Sequence, residues 1–97
     1  MYYLLFYEYV EGAVERRAPF REGHLALAHE FEAKGLLLGG AYADTVDGAV
    51  LVFQGGGPSL VEEFVRLDPY VARGVVTSWR VRPWRVVVGS LAETPRP

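Results

Sequence analysis

Three observations on the 97-residue chain predict an α+β domain with the element order β-α-β-β-α-β. Four stretches rich in branched and aromatic residues read as strands. Two others set apolar residues at helical spacing. Turn residues separate them, at Gly12, Gly35, Asp47-Gly48, Gly55-Gly56-Gly57-Pro58 and Gly74. That order corresponds to an antiparallel four-stranded sheet with both helices on one face, the ferredoxin-like arrangement.

Each element follows from its residues. Tyr2 to Val10 is apolar in both alternating rows: Tyr3, Leu5, Tyr7 and Tyr9 on one side, Leu4 and Phe6 on the other. Such a strand is covered on both faces. Gly12 to Ala18 reads as a polar connection, and Pro19 suits the first turn of a helix running to about Lys34. Phe20, His24, Leu27, Ala28 and Phe31 form its apolar stripe, and Gly35 ends it. Leu36 to Ala43 is a second strand. Its Gly39-Gly40 pair marks a bulge or a close backbone approach. Ala49 to Gln54 is a third strand, also apolar on both faces. Ser59-Leu60-Val61-Glu62 fits a capping box, and Leu60, Val61, Phe64, Val65 and Leu67 give that helix a buried face. Asp68-Pro69 stops it, because a residue before proline avoids the helical region. Val75 to Val88 is a final strand whose phase shifts at Pro83, as a bulge on an edge strand would make it. Residues 1–89 read as one domain and 90–97 as a flexible tail.

Composition narrows the function. A net charge of −2 disfavours a nucleic-acid binder, which carries a basic footprint. No apolar run approaches the ~20 residues of a membrane span, and the N-terminal stretch alternates like a strand rather than a leader. With no cysteine, there is no disulfide framework and no thiolate site. A cytoplasmic location is the expectation, with no nucleic acid and no membrane as partner. Two helices cover one sheet face only. The second apolar face would be too large a patch for a monomer, so a homodimer with sheets packed face to face is expected.

Chemistry concentrates in two places. His24 lies on the apolar stripe of the first helix. It is either a buried histidine with a satisfied hydrogen bond or a general acid/base. Asp68 is either a turn starter or the carboxylate that orients His24. Both helices share one sheet face, so the two residues could approach each other at one end of that layer. Arg21, three residues before His24, faces nearly the same way. It is a surface ion-pair partner or a clamp for an anionic substrate. Tyr70 packs over the helix end or donates to a substrate oxygen, and Gly74 supplies a turn conformation closed to other residues. His24 and His29 stand about 140° apart around a helix, so they make no metal pair. The triple-glycine loop matches neither a P-loop nor a dinucleotide fingerprint, and no cofactor is implied.

Several of these motifs together resemble the YCII-related (YciI-like) family. They are Arg21-x-x-His24-Leu25, Leu36-Leu37-Leu38-Gly39-Gly40, Asp68-Pro69-Tyr70-Val71-x-x-Gly74-Val75 and Val81-x-Pro83-Trp84, and the match spans roughly residues 2 to 88. The resemblance implies a dimeric α+β barrel of ferredoxin-like subunits. It also implies an active site built on a histidine and an aspartate, matching His24 and Asp68 here. One relative is a dehydrochlorinase of a chlorinated hydroxyquinol; the tail after Gly89 has no implied role.

The resulting expectation is a small cofactor-independent enzyme. His24, oriented by Asp68, would move a proton in an elimination, isomerisation or related lyase-type step. Arg21 and Tyr70 would hold a small oxygen-rich or anionic molecule. The alternative is a non-catalytic dimeric module that binds a small metabolite or regulates a partner.

Overall fold

In the computed structural model, which describes residues 1–93, the chain forms strand β1 (Tyr2–Tyr9), helix α1 (Ala13–Arg16), a 3-10 turn (Ala18–Phe20) and helix α2 (Arg21–Glu32). Strands β2 (Leu36–Ala41) and β3 (Gly48–Gln54), helices α3 (Ser59–Leu67) and α4 (Pro69–Ala72) and strand β4 (Val76–Trp84) follow. The strands pair in the order β2-β3-β1-β4, antiparallel throughout. This is the expected ferredoxin-like topology.

The core lies between the sheet and the helices. β1 turns Tyr3, Leu5 and Tyr7 into it, β3 adds Ala49, Leu51 and Phe53, and the helices add Phe31, Val61, Phe64 and Val65. Phe64 is the hub. Its ring meets those of Phe31 at 5.2 Å and Phe53 at 5.5 Å, both edge-on, the arrangement aromatic quadrupoles favour. The opposite row of β1 faces away from the helices, and there Leu4 and Phe6 are half-buried with no second layer above them.

Several local expectations need correction. Residues 12–18 are not a plain connection. Gly12, at φ 74°, lets its carbonyl accept from Glu15 and Arg16 N–H, which starts α1 and buries Ala13. Pro19 therefore falls in a 3-10 turn, and α2 begins at Arg21. The capping box at Ser59 does not form. Pro58 is the N-cap and its carbonyl accepts from Glu62 N–H, so the Ser59 hydroxyl stands one position too late to cap. Leu67 ends α3 on its outer side and is exposed. Asp68 does stop α3, with φ −74° and ψ 118°, but a further short helix, α4, starts at once at Pro69. The irregularity in β4 is at Thr77, opposite the Glu8/Tyr9 step, while Pro83 pairs in register with Tyr3. Pro83 is tolerated because β4 is an edge strand, as expected.

The glycine pair in β2 illustrates both halves of its expectation. The register shift falls at Leu37, two residues before Gly39, between Leu36 and Leu38. Gly39 is the close approach: a Cβ there would stand 2.8 Å from Leu51 Cγ. Gly74 has φ 80°, the left-handed turn conformation expected of it. After β4 the chain folds back: Glu93 N–H donates to Val86 O, and the Glu93 carboxylate meets the N-terminal amine at 2.6 Å. Only residues 90–93 of the expected tail are described; 94–97 lie outside the described residues.

Gly39→Ala is expected to lower unfolding free energy by about 1–3 kcal/mol, the usual cost of overpacking. A urea titration with unchanged midpoint would show that Leu51 yields freely.

Candidate functional site

The site starts from a stop signal. Pro69 denies Asp68 a helical backbone, and the resulting turn carries the Asp68 side chain inward to cap α4, accepting from Tyr70 N–H at 3.0 Å. Asp68 is fully buried, the one buried charged side chain among the described residues. A buried carboxylate is costly unless every lone pair finds a donor. Two further donors arrive from other elements. Tyr7 of β1 donates its hydroxyl to Oδ2 at 2.7 Å. His24 of α2 sets Nδ1 2.9 Å from Oδ1.

The network assigns the histidine tautomer. Tyr70 N–H can only donate, so Oδ1 acts as an acceptor there. A carboxylate acceptor makes Nδ1 the protonated nitrogen of a neutral His24. Nε2 then carries a free lone pair, and it has no hydrogen-bond partner among the described residues. Packing fixes the ring as well. Tyr70 stacks on the imidazole at 3.9 Å with planes 3° apart, and Phe64 meets it edge-on at 6.2 Å. Only 13% of the His24 side chain is exposed.

A cleft of about 310 Å³ opens beside this pair, between α2 and the β2–β3 end of the sheet. That is the lower end of the range for small-molecule sites. His24, His29, Glu32, Tyr70, Tyr9, Arg17 and Arg21 supply its polar lining, and Leu36, Leu37, Leu38 and Leu51 its apolar lining. Burial pushes the Tyr7 phenol far up, reinforced by the Asp68 charge beside it. Burial likewise raises Tyr9, to about 12, with Arg17 opposing. Tyr70 is raised by burial and pulled back by Arg17 and Arg21.

All four residues singled out in the sequence, His24, Asp68, Arg21 and Tyr70, meet at this end of the helical layer. The Gly55–Gly57 loop is not part of the cleft lining; His29 lines the cleft but makes its own exposed contact, with Glu32 at 3.2 Å. Sequence reasoning missed Tyr7, Tyr9 and Arg17. A signal existed for the tyrosines. Phenols in the core-facing row of β1, where Leu or Val would pack as well, need a partner for each hydroxyl. Arg17 had none, because its approach depends on α1.

The YCII-related domain matches residues 1–85, and the chain belongs to that family. An uncharacterised protein of Haemophilus influenzae is 27% identical over 97 residues, spanning 90% of this chain and 99% of its own length. Among solved structures, the 5-chloro-2-hydroxyhydroquinone dehydrochlorinase TftG of Burkholderia phenoliruptrix AC1100, in complex with 2,5-dihydroxybenzoquinone, superposes with a TM-score of 0.77 at 21% identity. The match covers 96% of this chain and all of that one. Protein Atu4242 of Agrobacterium tumefaciens follows with a TM-score of 0.59 at 13% identity, covering 96% and 98%. Both structures share the fold.

Tyr7→Phe removes a hydrogen bond to a buried carboxylate and should cost about 1.5–3 kcal/mol in urea unfolding; no loss would mean that the bond is not formed in solution. Alkaline behaviour follows from Tyr9. Its folded-state value of about 12 lies above the ordinary 10.0, so the unfolded chain ionises first. Stability should hold below about pH 10 and fall between there and 12. Phenolate absorbance should show Tyr9 ionising near 12 rather than 10. A single transition of all tyrosines near 10 in the folded protein would contradict this.

Proposed function

We propose that the chain is a small enzyme that moves a proton on an oxygen-bearing small molecule, with His24 as base and acid and Asp68 as its orienting partner. The observation that carries the reading is the bare Nε2 of His24, beside a cleft, with Nδ1 anchored to a buried carboxylate. Nε2 would take a proton from a substrate carbon or hydroxyl, and Asp68 would stabilise the imidazolium formed. For a carbon acid, the C–H electron pair moves toward the adjacent carbonyl oxygen, giving an enolate. In an elimination the enolate re-forms its carbonyl, a leaving group departs with its bonding pair, and the imidazolium gives its proton to that leaving group or to water. In an isomerisation the imidazolium returns the proton to another carbon. Either path returns His24 to its neutral form. Arg21 and Tyr70 would hold the substrate oxygen. The shared fold with a dehydrochlorinase that binds 2,5-dihydroxybenzoquinone supports a planar, oxygenated ligand.

The proposal includes a second copy of the chain, packed on the open sheet face. Leu4, Phe6 and Val50 are half-buried there, and Leu38 and Trp84 are 59% and 43% exposed. Arg80 lies over the Phe6 ring at 4.8 Å and rims the patch. An apolar sheet face of this kind is the type of surface that a C2 partner covers.

Two experiments test these readings. In D2O with 2,5-dihydroxybenzoquinone, the wild type should accelerate ring C–H exchange about 10²–10⁴-fold, and His24→Gln should abolish it. Saturable binding with no exchange above background would favour the binding-module alternative. Light scattering should give twice the chain mass for the wild type and the single-chain mass for Leu38→Glu. A monomeric wild type would contradict the dimer.

A further inference from the structure

One polar group of the site keeps a proton that the protein itself does not accept. The Tyr70 hydroxyl is fully buried, and no group among the described residues accepts its proton. An orphaned buried hydroxyl costs stability, so its retention calls for an explanation. Its surroundings are one-sided. The charged groups nearest it are Arg17 and Arg21, guanidinium donors that cannot accept its proton. The other phenol at hand is Tyr9, whose ring meets Tyr70 edge-on at 6.1 Å and which also stands beside Arg17. The nearby acceptor, Asp68, is taken up by Tyr7, His24 and the Tyr70 backbone.

The two arginines meet phenols rather than carboxylates, Arg17 beside Tyr9 and Arg21 beside Tyr70. Neither pairs with a carboxylate among the described residues, and both line the cleft. Arg73, by contrast, leans over Phe20 at 5.8 Å, and Arg80 over Phe6. One corner of the cleft therefore collects two guanidinium groups and a phenol proton, with no carboxylate salt-bridged to either arginine among the described residues. The His24 ring stacked on Tyr70 sets the bare Nε2 beside that corner.

We propose that Arg17, Arg21 and the Tyr70 hydroxyl form an oxyanion subsite, which selects small planar anions, carboxylates or enolates, over their neutral isosteres. The inference rests on the same cleft as the acid/base reading and narrows its substrate class. One ligand oxygen accepts from Tyr70 Oη while the negative charge lies against the two guanidinium groups, a charge-assisted pairing that arginine geometry favours. Arg17 and Tyr70 are then specificity-determining residues, and the ligand's apolar body rests on Leu36 and Leu51.

The probes are benzoate and its neutral isostere benzamide, followed through the side-chain Nε–H resonances of Arg17 and Arg21 in the full-length protein. Benzoate should shift both saturably in the millimolar range or tighter, and benzamide should bind at least about tenfold more weakly. Arg17→Gln should weaken benzoate about tenfold or more. Tyr70→Phe should do the same while raising the Tm of the free protein, because it removes an unsatisfied buried hydroxyl. A merely structural tyrosine would not give that opposed pair of effects. Equal binding of benzoate and benzamide, no saturable shift, or unchanged benzoate affinity in Arg17→Gln would overturn the subsite. His24→Gln separates the two readings. Retained benzoate binding alongside a failed exchange assay removes the acid/base role and leaves the subsite standing. Loss of arginine dependence with His24-dependent exchange intact removes the subsite alone.

Discussion

The carboxylate of Asp68 is the constraint around which this end of the molecule is arranged. A charge with no exposure to water must be matched by donors, and here they come from three separate elements: Tyr7 on β1, His24 on α2 and the Tyr70 backbone on α4. The network therefore ties the sheet to both halves of the helical layer. It also decides which imidazole nitrogen carries the proton. Such networks gain most when fully satisfied and cost most when broken.

The sheet serves that site through asymmetry. Its helix face is filled by Leu5, Phe53 and Phe64 and holds α2 and α3 at the spacing that leaves a cleft beside β2. Gly39 keeps β2 close enough for Leu51 to form the floor. The two edges differ. β4 carries Arg80, Arg82 and Pro83, residues that discourage further strand pairing, whereas Leu36–Ala41 has no charge at all. Among the described residues, no helix is long and apolar enough to cross a membrane.

Much of this was legible in the residues. Alternation in β1 and β3, the stripe through Phe31 and the helix stop at Asp68-Pro69 carry the topology, because each is a local pattern with a strong physical cause. The His24–Asp68 contact is a long-range fact, but the topology brings both residues to one end of one layer. What could not be read are features set by tertiary competition. Pro58 displaced Ser59 as the cap of α3. The bulge in β4 settled at Thr77 because Pro83, on an edge, pairs without needing its missing N–H. The Tyr7 bond to Asp68 requires the register of β1 against α4, which no spacing within the chain encodes. Arg17 reaches the cleft only through α1, a four-residue helix too short to leave a periodic signature.

Buried Asp68 holds His24 as the Nδ1–H tautomer and leaves Nε2 without a partner among the described residues. The most direct measurement is the pair of imidazole 15N shifts of His24, read from long-range 1H–15N correlations in the wild type and in Asp68→Asn. The account predicts a protonated Nδ1 and an unprotonated Nε2 in the neutral wild-type ring, with that preference lost in Asp68→Asn. A neutral wild-type ring protonated at Nε2, or one whose tautomer ignores Asp68→Asn, would contradict it.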